Sequence, residues 1–447
     1  MGYISLGTNN KYYKYIIFYI ISNLLYEATF GLNYGSLYTE IIVLEKQRNL
    51  RLHRLIYSIF YYFGIFLFSL ILDKFDPNKK ERESNRNDKS KIRLIAYKNE
   101  NIKKQYNIII LVSFLWVVHE QLGIYYYYNY FKFSYLDYWT LEILIAYFIS
   151  RKMFNIQIYK HQKFAIFFNS VLCSLFILIP FIILLVDEEI YNIKEKLILI
   201  PTGIISFLII MFIRSYSNCK IKWISDYKDI SVSKILIFYG LFGTIMCSLV
   251  SLFTTFVECN EYINCDIKKD GKKYFEHFSI FYENFSSSKI IFTFLIILNI
   301  IFGFLKSLFY LVIIKYLTPF HAIALPSIYY FLLIVILGFH TLINQKKKKE
   351  AKRIEIFFTI CDIMADFFTI IGIFIYSEII ELNFCELNYN LKKNIIKRGN
   401  MDLYLLNYFK EGKKNQILYD DDDDDNDDEE DEENEKKNEL SEFNNWK

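Results

Sequence analysis

Ile290–Ile314 reads IIFTFLIILNIIFGFLKSLFYLVII and carries one ionisable side chain, Lys306. A helix rises about 1.5 Å per residue. A run of this length therefore exceeds the roughly 30 Å hydrocarbon core of a bilayer. In lipid only a helix or a closed barrel satisfies its own backbone, and this run lacks the in–out alternation of a barrel strand. It predicts a transmembrane helix.

The same reading extends along the chain. Comparable stretches run from Tyr15 to Phe30, Leu55 to Leu72, Tyr106 to Tyr126, Tyr135 to Ile149, Phe164 to Val186, Leu197 to Ile213 and Ile235 to Val257, before the quoted one. Two more follow, Phe320 to Ile343 and Ile356 to Ile380, with Thr318-Pro319 marking the break between the eighth and the ninth. Asn23 and Glu27 interrupt the first. Pro180 and Pro326 fall inside spans and predict kinks, while Pro201 lies near the start of the sixth. The expected fold is an all-α polytopic bundle of about ten transmembrane helices. Mean hydropathy is positive although 23% of the residues are charged, because the charges cluster between the apolar runs. Ile, Phe, Tyr, Asn and Lys are abundant in a pattern that codon bias alone could produce, so Tyr or Asn content by itself carries no weight.

Orientation follows the Lys and Arg of the loops. Lys74 to Lys104, Arg151 to Lys163 and Arg214 to Lys234 are basic and alternate correctly as cytosolic loops, which puts both termini in the cytosol. The basic groups at Lys46–Arg54 and Lys346–Arg353 run against this assignment. The transmembrane domain is expected over 1–390. A cytosolic tail follows over 391–447, with a self-repelling acidic run from Asp420 to Glu435 that predicts disorder. That run reads as a solvating tail or as a docking site for a basic partner. Cys259 and Cys265 share the longest polar loop of the second half and could pair in an oxidising lumen. The same loop holds the sequon Asn284-Phe285-Ser286. The first apolar stretch has no small-residue cleavage site and is expected to stay in the membrane.

Ionisable groups inside spans are costly and mark function or a structural pair. Lys306 lies on one helical stripe with Asn299, Gly303 and Tyr310, and a cation in a polar stripe suits an anionic substrate. The rival is an ion pair with another span or snorkelling. The third span carries His119, Glu120 and Gln121; His119 or Glu120 could move a proton, and Gln121 could bind substrate. Glu142 in the fourth span is a candidate partner for Lys306. Asp362 and Asp366 share a face of the tenth, either as a cation site or as solvated boundary carboxylates. His321 opens the ninth, at a cavity mouth or at headgroup level. No metal site and no cofactor are expected: there is no Cys/His zinc spacing, no HExxH and no GxSxG. The basic loops are explained by topology, so nucleic acid is not an expected partner. Expected partners are the bilayer, a small-molecule substrate and, as an open case, a second copy.

Three local features carry a resemblance: Leu141-Glu142 through Arg151 with Tyr159-Lys160-His161-Gln162, Lys234 through Gly240-Leu241-Phe242-Gly243, and Ile314-Lys315-Tyr316-Leu317-Thr318-Pro319-Phe320-His321. With ten spans and cytosolic termini, residues 12–390 resemble the drug/metabolite transporter superfamily, which includes EamA-type carriers and nucleotide-sugar transporters. The resemblance implies two inverted five-helix repeats, about 12–190 and 195–390, around a central cavity. It implies that the third and eighth spans are counterparts, with His119-Glu120-Gln121 opposite Lys306. It also implies an endomembrane secondary transporter of a small polar or anionic solute; a non-transporting membrane scaffold or sensor that docks through its acidic tail, and an intramembrane lipid enzyme with a metal at Asp362 and Asp366, are the alternatives that the sequence leaves open. Few small residues, the long polar loop before the eighth span and the basic loop after the ninth depart from the family pattern.

Overall fold

The computed structural model describes residues 10–30, 54–75, 106–122, 139–154, 159–186, 193–227, 230–256, 267–269, 272–274, 277–287, 289–329, 331–332 and 353–384, with isolated positions up to 394. These residues are helical apart from one small hairpin. The helices are α1 Asn10–Phe30, α2 Arg54–Lys74, α3 Tyr106–Leu122, α4 Trp139–Phe154, α5 Lys160–Val186, α6 Ile193–Tyr227 and α7 Val232–Phe256. The hairpin β1 Ile267–Lys269 and β2 Lys272–Tyr274 follows, then α8 Phe278–Ser287, α9 Lys289–Tyr316, α10 over 319–329 and α11 Arg353–Tyr376. Tyr3–Leu391 forms one unit; Met1–Gly2 and Lys392–Lys447 fall in a second.

Each apolar stretch read from the sequence has a helix in the structure. Three of them, Leu55–Lys74, Val232–Phe256 and Lys289–Tyr316, are long and apolar enough to cross a membrane. Two sequence readings need correction. The sixth stretch does not end at Ile213: α6 runs on to Tyr227, because Arg214, Asn218, Lys222 and Ser225 form one buried stripe that packs inward. Arg214–Tyr227 is therefore helix rather than loop, and Pro201 lies inside α6 instead of near its start. The long polar loop also holds the hairpin and α8. The hairpin pairs Ile267 with Tyr274 and Lys269 with Lys272. Cys259, Cys265 and the acidic run lie outside the described residues.

Side chains on the long helices sort in the reverse of a soluble protein. On α7 the stripe Ile245, Leu249, Leu252 and Phe256 is exposed, while Tyr239, Gly240, Gly243, Cys247 and Ser251 are buried. On α9 the exposed stripe is Ile290, Phe294, Ile297 and Ile301, and the buried one holds Asn299, Gly303, Ser307 and Tyr310. Hydroxyls that do not reach the centre turn back onto their own helix. Thr244 donates to Gly240 O at 2.7 Å, Ser248 to Thr244 O at 2.7 Å and Thr369 to Ala365 O at 2.9 Å. Such bonds satisfy a polar group without water.

The contacts fix helix directions. α1 and α9 run antiparallel, since Tyr15 stacks on Tyr316 and Phe18 on Phe309. α2 and α9 run parallel, through Tyr57 with Phe292 and Phe68 with Phe304. α2 and α7 are antiparallel: Ser233 donates to Asp73 at 2.8 Å at one end, and Gly243 lies against Tyr62 further along. α4 and α6 are parallel, as are α6 and α9. α5 and α11 are antiparallel: His161 at the start of α5 meets Glu378 just past α11 at 3.5 Å, and Phe168 meets Phe368. Glu378 ends α11 in the left-handed region, at φ 62°. Ile379 N donates to Phe374 O and Glu378 N to Ile375 O, the bond pair of a Schellman cap.

At the α2–α7 crossing a glycine meets the backbone of the partner helix. A Cβ on Gly240 would stand 2.5 Å from Phe66 N and 2.8 Å from Tyr62 O, both backbone atoms that cannot swing aside. Gly240→Ala is therefore expected to destabilise the protein by about 1–3 kcal/mol through overpacking, although alanine is the better helix former by about 1 kcal/mol. Thermal unfolding in detergent decides the sign; a more stable variant would show that the two backbones have room to part.

Candidate functional site

Polar side chains from four helices, α2, α3, α7 and α9, meet on the buried faces. Glu120 of α3 accepts a hydrogen bond from the Tyr62 hydroxyl of α2 at 2.7 Å and one from the Tyr239 hydroxyl of α7. Gln121 Nε2 donates to Tyr62 Oη at 3.2 Å. The Tyr61 hydroxyl lies 2.6 Å from Ser307 Oγ of α9 and 3.5 Å from Tyr239 Oη. Each hydroxyl has one proton to give. With Tyr239 and Tyr62 both donating to Glu120, the order of donation is Ser307 to Tyr61 to Tyr239 to Glu120, and Gln121 to Tyr62 to Glu120. Every donor points towards the carboxylate.

Aromatic packing joins this network to a second polar group. Trp116, one turn before Glu120, stacks on Tyr239 at 4.2 Å and on Tyr310 of α9 at 5.7 Å. Tyr310 accepts from Asn218 Nδ2 of α6 at 3.0 Å, and Arg214 of α6 also bonds it. Arg214 in turn forms an ion pair with Glu142 of α4 at 3.1 Å, with both side chains buried.

The predicted residues fall as follows. Glu120, Gln121 and Tyr310 belong to the network. Glu142 does not partner Lys306; its cation is Arg214, which reaches it because α6 continues past Ile213. Lys306 is half-buried, with Nζ 4.5 Å from the centre of the Tyr26 ring, a cation–π contact. Its sequence neighbour Ser307 is the one that joins the hydrogen-bonded chain. Asn299 is buried, and neither its Oδ1 nor its Nδ2 has a hydrogen-bond partner among the described residues. His119 is buried and has the Arg214 cation as its charged neighbour. Glu27 and Asp362 lie in helices, but their side chains are not among those described; Asp366 is buried in α11.

His321 lies at the start of α10 and lines a small cavity. It is buried, with Thr318 Oγ1 at 2.7 Å from Nδ1 and Ser377 Oγ at 2.9 Å from Nε2, which ties the start of α10 to the end of α11. Beside it a cavity of about 20 Å³, enough for one water, is lined mainly by apolar side chains together with Asn169 and Tyr376. Among the described residues no group of His, Cys, Asp and Glu has a metal-binding arrangement.

The sequence reading missed Tyr61, Tyr62, Tyr239, Trp116, Asn218 and Arg214. The tyrosines were hidden by a composition rich in tyrosine. Arg214 and Asn218 were detectable, since with Lys222 and Ser225 they repeat at helical spacing beyond the point where the apolar run stops. No protein-family model matches the chain, and no curated protein matches its sequence.

A buried ion pair is sensitive to losing one partner alone. Glu142→Ala and Arg214→Ala are each expected to cost about 3–5 kcal/mol, whereas Glu142→Leu combined with Arg214→Met recovers most of the loss. A double-mutant cycle on thermal unfolding reads this coupling. Single losses that simply add would mean that the two charges do not depend on one another.

Proposed function

We propose that this chain is a multi-pass membrane transporter of a small polar or anionic solute, working by alternating access. The observation that carries this reading is the inverted sorting of α7 and α9: apolar stripes face outward, and a polar network spanning several helices fills the inside. Such a network is expensive in a membrane and is retained where a path or a site needs it.

Helix directions support the ten-crossing arrangement. Odd and even crossings should run antiparallel, and crossings of the same parity parallel. The pairs α1–α9, α2–α9, α2–α7, α4–α6, α6–α9 and α5–α11 all obey this when α9, α10 and α11 are taken as the eighth, ninth and tenth crossings. The two antiparallel pairs α2–α7 and α5–α11 join the second crossing to the seventh and the fifth to the tenth. Those are the pairs that an inverted repeat brings to its pseudo-two-fold axis. The resemblance to drug/metabolite transporters, with an endomembrane location and cytosolic termini, belongs to the same proposal.

In this reading Lys306, Asn299 and Tyr310 supply the solute's contacts from one stripe of α9. The Glu142–Arg214 pair balances charge and anchors Tyr310. Asn299 keeps a donor and an acceptor without partners among the described residues, which a polar solute can satisfy when the helices part.

Lys306→Ala is expected to abolish accumulation of anionic solutes by vesicles containing the purified protein, with its folding and insertion intact. Undiminished uptake by a correctly inserted variant would remove the basis for an anionic substrate at α9. Cysteine labelling at Lys347 tests the layout separately: protection from a cytosolic reagent fits ten crossings, and free labelling from that side does not.

A further inference from the structure

The hydrogen-bond order around Glu120 leads to the coupling ion. We propose that Glu120 is a reversible proton carrier and that the Ser307–Tyr61–Tyr239 chain passes protons between it and α9. This deepens the transporter reading, but the proton site itself can be tested without transport.

Three observations carry the inference. First, Glu120 is only half-buried while the hydroxyls that serve it, on Tyr62 and Tyr239, are buried. Both hydroxyls reach the same carboxylate oxygen, Oε2. Second, the donors form a line with one polarity. A proton entering at Ser307 lets each hydroxyl release its own proton as it takes the next. The Ser307, Tyr61 and Tyr239 oxygens end as they began, each with one proton, and Glu120 ends as a neutral acid. The hydroxyls must then rotate before a second passage, which gates the chain. The 3.5 Å gap between Tyr61 and Tyr239 is its longest step, so small movements of α2 against α7 open or close it. Third, the competing carrier has no such line of donors: His119 is buried and its Nδ1 has no hydrogen-bond partner among the described residues.

The groups around Glu120 are Tyr61 and Tyr62 from α2 and Tyr239 and Cys247 from α7, with Gln121 of its own helix reaching Tyr62. None of these is a fixed cation, so a proton is the charge this site is built to take. Ser307 adjoins Lys306. Neutralising Glu120 removes a negative charge from the network that ends beside this lysine. A proton at Glu120 and an anion at Lys306 therefore favour each other, the coupling of a proton–anion symporter.

Trp116 is a built-in reporter, because it stacks on Tyr239. The test uses the full chain in detergent with Trp139, Trp223 and Trp446 replaced by phenylalanine, so that Trp116 is the sole fluorophore of its kind. Its emission is followed against pH with the proton as the only ligand. One titration step is expected. It should vanish in Glu120→Gln, shift in Tyr239→Phe and persist in His119→Gln. A step that survives Glu120→Gln, or one that disappears with His119→Gln, overturns the assignment. A flat profile in a parent protein that still elutes as a single species also overturns it. A clear Glu120 step in a protein that moves no anion would leave the proton site standing and count against the transporter reading alone.

Discussion

A carboxylate within an apolar bundle has to be met by donors, and Glu120 is met by two tyrosines from two different helices. That requirement organises the centre. Tyr62 must reach across from α2 and Tyr239 from α7, so these helices approach closely enough for Gly240 to touch the backbone at Phe66. Gly243 leaves the space that the Tyr62 ring fills. Trp116 then closes over Tyr239 and brings Tyr310 of α9 into the same layer. The glycines, the ring stack and the hydrogen bonds are one solution to one desolvation problem.

Arg214 and Glu142 solve the same problem by pairing, and the cost of each solution differs. An ion pair holds two charges that neither can release without stranding the other. The tyrosine cradle holds one charge with neutral donors, which remain satisfied by one another when the carboxylate is neutralised. The first arrangement suits a fixed anchor between α4 and α6. The second suits a group whose charge changes. Both sit on the inward faces of helices whose outward faces are isoleucine, leucine and phenylalanine.

The helices were legible in the sequence because long apolar runs admit few other backbones. The boundary at Ile213 was misplaced because hydropathy falls where the buried face of α6 turns polar, although the helix does not end there. A hydropathy profile averages both faces of a helix, and Arg214, Asn218 and Lys222 all lie on one of them. The β1–β2 hairpin escaped notice for a similar reason, its only signal being Asp270-Gly271 within a charged loop. In the site, single charges inside apolar runs gave Glu120, Glu142 and Lys306. Their partners did not follow, because tyrosine and serine are compatible with either face of a helix. Which carboxylate meets which cation depends on helix neighbours, and these are set by contacts far apart in sequence.

That dependence also explains why Lys306 and Ser307 have different roles. Adjacent residues on a helix point about 100° apart, so α9 can present Ser307 to the α2–α7 tyrosines and Lys306 to Tyr26 of α1. A helix placed between two partners in this way couples them mechanically. Any rotation of α9 that draws Lys306 off the Tyr26 ring also changes the Ser307–Tyr61 distance. The stripe on α9 is then more than a row of candidate ligands. It is the element that touches both the α2–α7 tyrosines and Tyr26 of α1.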